Sequence, residues 1–184
     1  FGETLDIAIG NAFDVFARES GIHDPSKPWP GPKFDEAASR GSQYVELPYL
    51  VKGMDLAFSG LVTQALRYLK EGKKVEDLCY SLQETALAML TEVTERAMAH
   101  TEKDTLLLTG GFATNKRLQE MLQIMTKERG GELRVVPAEF ATDNGAMIAW
   151  TGILAHNAGI VTPIEKSFVK PRWRIEEVKV PWIK

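Results

Sequence analysis

Apolar residues recur at helical spacing along most of this chain, and two short apolar runs interrupt them as strands. Residues 7–19 place Ile9, Ala12, Phe13, Phe16 and Ala17 on one side, the spacing of an amphipathic helix. Gly21 closes it, where a left-handed cap is least costly. Residues 23–32, rich in proline and glycine, read as a loop. A short helix over 33–40, an extended stretch over 44–52 turning at Gly53, and a helix over 56–69 follow. The longest helical signal covers residues 75–100, with Leu78, Leu82, Leu87, Leu90, Val93 and Ala97 marking one face. Residues 105–109 are a short apolar run between Asp104 and Gly110, which predicts a buried strand. Residues 115–129 are helical again, Gly130 and Gly131 end them, and 133–136 give a second strand before Pro137. A helix over 143–157 precedes a tail that is irregular from Pro163 and alternates over 178–182. Short strands between helices predict an α/β fold.

Two of these junctions carry candidate chemistry. The first strand runs into Gly110 and Gly111 and then toward a helix. Glycines let the backbone turn sharply and approach a ligand, and the N–H groups that open a helix favour a phosphate. Lys116 and Arg117 add positive charge nearby. The same corner serves equally as a structural turn that binds nothing. It is not a Walker A loop, since no Gly-Lys-Ser/Thr follows, and the Rossmann glycine spacing is absent. The second junction is Asp143 at the start of the last helix. It reads as an ordinary N-cap, or as a cation ligand at the strand-exit side of an α/β sheet. Asp14 lies between Phe13 and Val15, either solvated or as a site carboxylate. Glu3 and Asp6 stand where acidic groups favour a helix dipole.

Composition narrows the classes. A chain of 184 residues suffices for one domain or for half of a two-lobed fold. Its 44% hydrophobic and 26% charged residues are ordinary for a globular protein and exclude disorder. The net charge of -3 gives no sign of nucleic acid, so any RNA contact would come from a local basic patch or from partners. The single cysteine, Cys79, excludes a disulfide framework and fits a reducing cytoplasm. His23, His100 and His156 supply no pair at i, i+4, so no histidine metal pair is present. No apolar run is long enough to span a bilayer. With no methionine at position 1 and no strand before the first helix, we expect a fragment.

Several motifs then fall together. Phe1-Gly2-Glu3-Thr4-Leu5-Asp6-Ile7-Ala8-Ile9-Gly10-Asn11 and Leu47-Pro48-Tyr49 with Val51-Lys52-Gly53-Met54-Asp55 resemble signatures of the tRNA threonylcarbamoyladenosine transferases, specifically the KEOPS catalytic subunit of archaea and eukaryotes. Phe58-Ser59-Gly60-Leu61, Tyr80-Ser81-Leu82-Gln83-Glu84-Thr85, Gly110-Gly111-Phe112-Ala113-Thr114-Asn115 and Asp143-Asn144-Gly145-Ala146-Met147-Ile148-Ala149 continue the resemblance in order through nearly the whole chain.

The resemblance implies an actin/Hsp70-like (ASKHA) fold, chiefly its second lobe, over residues 1–162. A tail over 163–184 would pack on the first lobe or on partners. It implies transfer of threonylcarbamoyl from threonylcarbamoyl-adenylate to the adenosine beside the anticodon of tRNA. By position, Asp14 and Asp35 would contact the nucleotide ribose, Asp35 standing where the family commonly has Glu. Gly31 would be the binding glycine of a Pro-Gly-Gly-Pro stretch that is Trp29-Pro30-Gly31-Pro32 here. Gly110 and Gly111 would lie under the phosphates of an ATP- or AMP-type nucleotide, with Asn115 as a further nucleotide contact. Asp143 would ligate one divalent metal ion, whether iron, zinc or magnesium. The two histidines of the family's His-x-x-x-His helix fall upstream of Phe1, so we expect this piece alone to be inactive. The implied partners are tRNA and the KEOPS subunits, a small protein kinase and a dimerising subunit, with no membrane. An actin-like small-molecule kinase and a non-catalytic interaction module remain as alternatives.

Overall fold

A computed structural model describes residues 1–174 and 177–183. Two compact units form, Phe1–Val136 and Pro137–Lys184.

The first unit is built around one long helix. Helix α1 (Ile9–Glu19) buries Ala12, Phe13, Phe16 and Ala17, the face set by the 3.6-residue period. It ends at Gly21, whose φ of 76° fulfils the predicted left-handed cap. Helix α2 (Gly31–Arg40) opens two residues earlier than the periodicity predicts. Pro32 lies in its first turn, where a missing N–H leaves no bond unmade. Helix α3 (Ser59–Lys70) starts later than predicted. The Asp6 carboxylate accepts the N–H groups of Phe58 and Ser59, each at 2.9 Å, and so fixes where the helix begins. Asp6 therefore serves the dipole of α3 from a distant point in the chain rather than that of α1. The residues just before α3 make a small antiparallel hairpin, strand β1 (Val51–Lys52) against strand β2 (Asp55–Leu56).

Helix α4 (Val75–Thr101) has no single apolar face because it serves two cores. Leu78, Leu82, Ala86, Met89 and Val93 pack with Phe13, Phe16, Phe34, Leu61 and Ala65 of α1, α2 and α3. Leu87 and Met98 belong to a second cluster with Leu118, Leu122 and Met125 of helix α5 (Lys116–Glu128). Strand β3 (Thr105–Leu108) pairs in parallel with strand β4 (Glu132–Val135), α5 making the crossover. Leu106, Leu108 and Leu133 pack against the second cluster.

Of the stretch predicted as extended over residues 44–52, only Val51–Lys52 is a strand. The bonds of the stretch go to side chains on α4 instead. Asp77 accepts from Ser42 N–H at 2.9 Å and Gln43 N–H at 3.0 Å, and Ser81 Oγ accepts from Val45 N–H at 2.7 Å. Tyr44 Oη shares a hydrogen bond with Thr85 Oγ1 at 2.8 Å, and Arg96 donates to the Gly53 carbonyl at 2.7 Å. Asp77, Ser81 and Thr85 recur every four residues, so they form one polar row along a buried helix.

The second unit holds helix α6 (Ala138–Ala141) and helix α7 (Gly145–Asn157). Four residues are too few for α6 to show a period. The apolar residues of α7 lie on all its sides and none is buried, and Ile148, Trp150 and Ile153 are exposed. The alternation over residues 178–182 forms no strand among the described residues. No described helix is long and apolar enough to cross a membrane.

Candidate nucleotide site

Strand β3 ends at the glycine pair, and Gly110 takes φ 93°, a left-handed conformation that a side chain would strain. A single 3-10 turn spans Gly111–Thr114, closed by the Ala113 N–H to the Gly110 carbonyl at 3.0 Å, between the glycines and the helix predicted from residue 115. Only then does α5 begin, and one of its first-turn N–H groups, that of Leu118, is already capped. Asn115 is its N-cap, with Oδ1 accepting the Leu118 N–H at 2.9 Å. The Gly110–Gly111 backbone at this corner is exposed.

The turn is held against α1. The Phe112 ring meets Phe13 edge-on with centroids 5.5 Å apart, and Phe13 stacks on Phe34 of α2 at 4.2 Å. A Cβ at Gly10 would stand 3.6 Å from Phe112 Cδ2. One helical turn further along the same face of α1 comes Asp14, which is half-buried. A Cβ at Gly31 would lie 3.9 Å from Asp14 Oδ1, so the opening of α2 lies beside this carboxylate.

Asp35 follows Gly31 by one turn on α2. Asn115 is 8% exposed and donates through Nδ2 to Asp35 Oδ1 and to Gln83 Oε1, each at 3.4 Å. Burial pushes the Asp35 carboxyl above the ordinary carboxylate range. Its surface is nonetheless open to water, so protein surrounds this group while solvent still reaches it. Beside Gln83, Glu84 receives Arg117 through Nε at 2.8 Å and Nη2 at 2.7 Å, a bidentate pair that pins α5 to α4. The Glu84 and Glu120 carboxylates hold the Arg117 guanidinium above its ordinary value.

Asp14, Gly31, Asp35, Gly110, Gly111 and Asn115 thus fall in one contiguous region of the first unit. Gln83 joins them without having been assigned a role from sequence. It sits within the motif of residues 80–85, but a contact spanning 32 residues leaves no mark on local periodicity. Asp143 belongs to the second unit and departs from its expected role as a cap. Asn144 is the N-cap of α7, accepting the Met147 N–H at 2.9 Å, while Asp143 is exposed just before it. A carboxamide satisfies the helix N–H as well as a carboxylate does, so the neighbouring Asp143 is not needed there.

The profile of the tRNA N6-adenosine threonylcarbamoyltransferase family matches residues 1–150. The chain belongs to this family. A family protein of Archaeoglobus fulgidus is 56% identical over 182 residues, covering 99% of this chain and 55% of that protein. One from Thermococcus kodakarensis is 54% identical over 183 residues, covering 99% of this chain and 55% of its own length. The chain thus spans about half the length of these curated relatives. A solved structure of Thermococcus kodakarensis HypF superposes with a TM-score of 0.64 at 19% identity, covering 86% of this chain and 21% of that one. At that identity the likeness speaks for the α/β fold alone.

Proposed function

We propose that this chain supplies the nucleotide-binding portion of a tRNA N6-adenosine threonylcarbamoyltransferase, built as the second lobe of an actin/Hsp70-like (ASKHA) fold. The reading rests on one observation. Residues as far apart in sequence as Asp14, Gly31, Asp35 and Asn115 converge beside the Gly110–Gly111 turn. In this reading the exposed glycines approach the phosphate of an adenylate, and the Asp14 and Asp35 carboxylates accept hydrogen bonds from ribose hydroxyls. The whole protein moves threonylcarbamoyl from threonylcarbamoyl-adenylate to the adenosine next to the anticodon. No general base is needed from these residues, since holding the adenylate and the attacking amine in register supplies much of the rate. The residues 163–184 are assigned to packing on the first lobe or on partners, and the protein to the cytoplasm.

The family resemblance also implies a divalent metal. Among the described residues, no group of three or more histidine, cysteine, aspartate or glutamate side chains stands close enough to hold an ion. These residues by themselves do not fit a metal centre, and Asp143 offers one carboxylate. No step of the reaction is assigned to a metal here.

The test is a transfer assay with threonylcarbamoyl-adenylate and tRNA, and in parallel one with ATP and a sugar or acetate, run on the full-length protein with its KEOPS partners, the small kinase and the dimerising subunit. Modified adenosine in digested tRNA is the expected product. Phosphorylation of a sugar or acetate with no modified nucleoside would transfer the assignment to an actin-like kinase. Failure of the partner subunits to co-purify would remove the KEOPS assignment while leaving the chemistry in place.

A further inference from the structure

The orientation of the Asn115 amide is fixed by the fold. Its oxygen must face the Leu118 N–H, at 2.9 Å, because only an oxygen can accept there. Its nitrogen therefore faces the other way, into the candidate site. That nitrogen carries two hydrogens and meets two acceptors, Asp35 Oδ1 on α2 and Gln83 Oε1 on α4, both at 3.4 Å. The capping oxygen holds one end tightly while the two long bonds hold the other loosely. Without Gln83, one Asn115 hydrogen in a largely buried position would lose its partner, and only the cap and the long bond to Asp35 would hold the amide plane. The bidentate pair from Arg117 to Glu84, at 2.8 and 2.7 Å, keeps Gln83 in register with Asn115 because Glu84 is its neighbour on α4.

We propose that Gln83 is a positioning residue of the nucleotide site, acting through Asn115. It holds one hydrogen of the Asn115 amide, so that the other stays on Asp35 Oδ1 and the Asp35 carboxylate is presented to the nucleoside in a fixed arrangement. The inference rests on the nucleotide-site reading given above and adds to it a residue that contacts the ligand through another side chain.

The test is a double-mutant cycle on the full-length protein, reading AMP affinity by calorimetry and folding by thermal melting. Gln83→Met keeps the volume and removes the acceptor. It should weaken AMP binding about fivefold, the loss expected for one modest hydrogen bond, with little change in melting. Gln83→Ala repeats the comparison where methionine disturbs the packing. Asn115→Ser retains a capping oxygen and removes both Nδ2 hydrogens, and should weaken binding at least as much. In the Asn115→Ser background, Gln83→Met should add nothing, since its intermediary is gone. Unchanged AMP affinity in Gln83→Met, or effects that multiply in the double variant, would overturn the role of Gln83. If Asn115→Ser and Asp35→Ala also bind AMP normally, or the unsubstituted protein binds none, the nucleotide-site reading itself falls.

Discussion

Asn115 has two tasks at opposite ends of one amide, and they are separable. Its oxygen caps α5 through Leu118, and its nitrogen faces Asp35 and Gln83. Asn115→Ala should cost about 1 kcal/mol of stability, a typical N-cap loss. Asn115→Ser should retain most of that, because serine caps nearly as well. Denaturant unfolding of the two variants checks this, and identical midpoints would remove the capping role. Asp6 offers a second test. Burial opposes its ionisation, but the Ser59 hydroxyl and the N–H groups of Phe58, Ile7 and Ser59 hold its carboxyl well below the usual 3.8. A carboxyl depressed in the folded state stabilises fully above its ordinary value and loses that contribution as pH falls below about 4. Asp6→Asn should therefore lower stability near neutral pH and flatten its decline in acid. A variant whose acid decline matches the parent's would show that the carboxylate is not ionised against α3. Asp6 is legible in sequence only as an acidic group near a helix start. Which helix it serves depends on a fold that returns residues 58 and 59 to it.

At the scale of elements, α4 is the organising piece. A helix with one wet face shows a clean stripe, whereas α4 buries residues toward both cores and carries the polar row that holds residues 42–53. This explains why the extended stretch was visible from its residues but its partner was not. Ladder pairing leaves an alternating pattern in both strands, and side-chain attachment to a helix does not. Ser81 is fully buried and both accepts from Val45 N–H and donates to the Asp77 carbonyl. Ser81→Ala should cost roughly 1–2 kcal/mol, since it leaves the Val45 N–H without its partner. Hydrogen exchange should quicken at Val45 and its neighbours while the middle of α4 stays protected. Equal quickening along α4 would mean that the row stabilises the helix rather than the segment. The Arg117–Glu84 pair is partly open to solvent, so Glu84→Gln should cost no more than about 1 kcal/mol. A loss several times larger, measured by thermal melting, would mark the pair as part of a buried network instead.

For the whole molecule, a chain about half as long as its relatives has consequences for how it behaves alone. Helix α7 presents Ile148, Trp150 and Ile153 to solvent, and the tail adds Phe168, Val169 and Trp173. Apolar surface on that scale marks an interaction site or an aggregation liability. The isolated 184-residue chain is therefore expected to bind a hydrophobic dye and to self-associate, as read by fluorescence and sedimentation. It is also expected to retain no stoichiometric divalent metal by elemental analysis, because its described residues gather no ligand set. A monomeric chain with one bound ion would contradict both expectations. Period, turn residues and motifs are local properties, so the longer helices, the two short strands, the glycine corner and the family are legible along the chain. Three features come from the packed fold: Asn115 caps α5 at that corner, Asn144 and not Asp143 caps α7, and Gln83 enters the site. Each of those depends on which groups meet across dozens of residues or compete for one N–H, and a pattern along the chain does not carry that information.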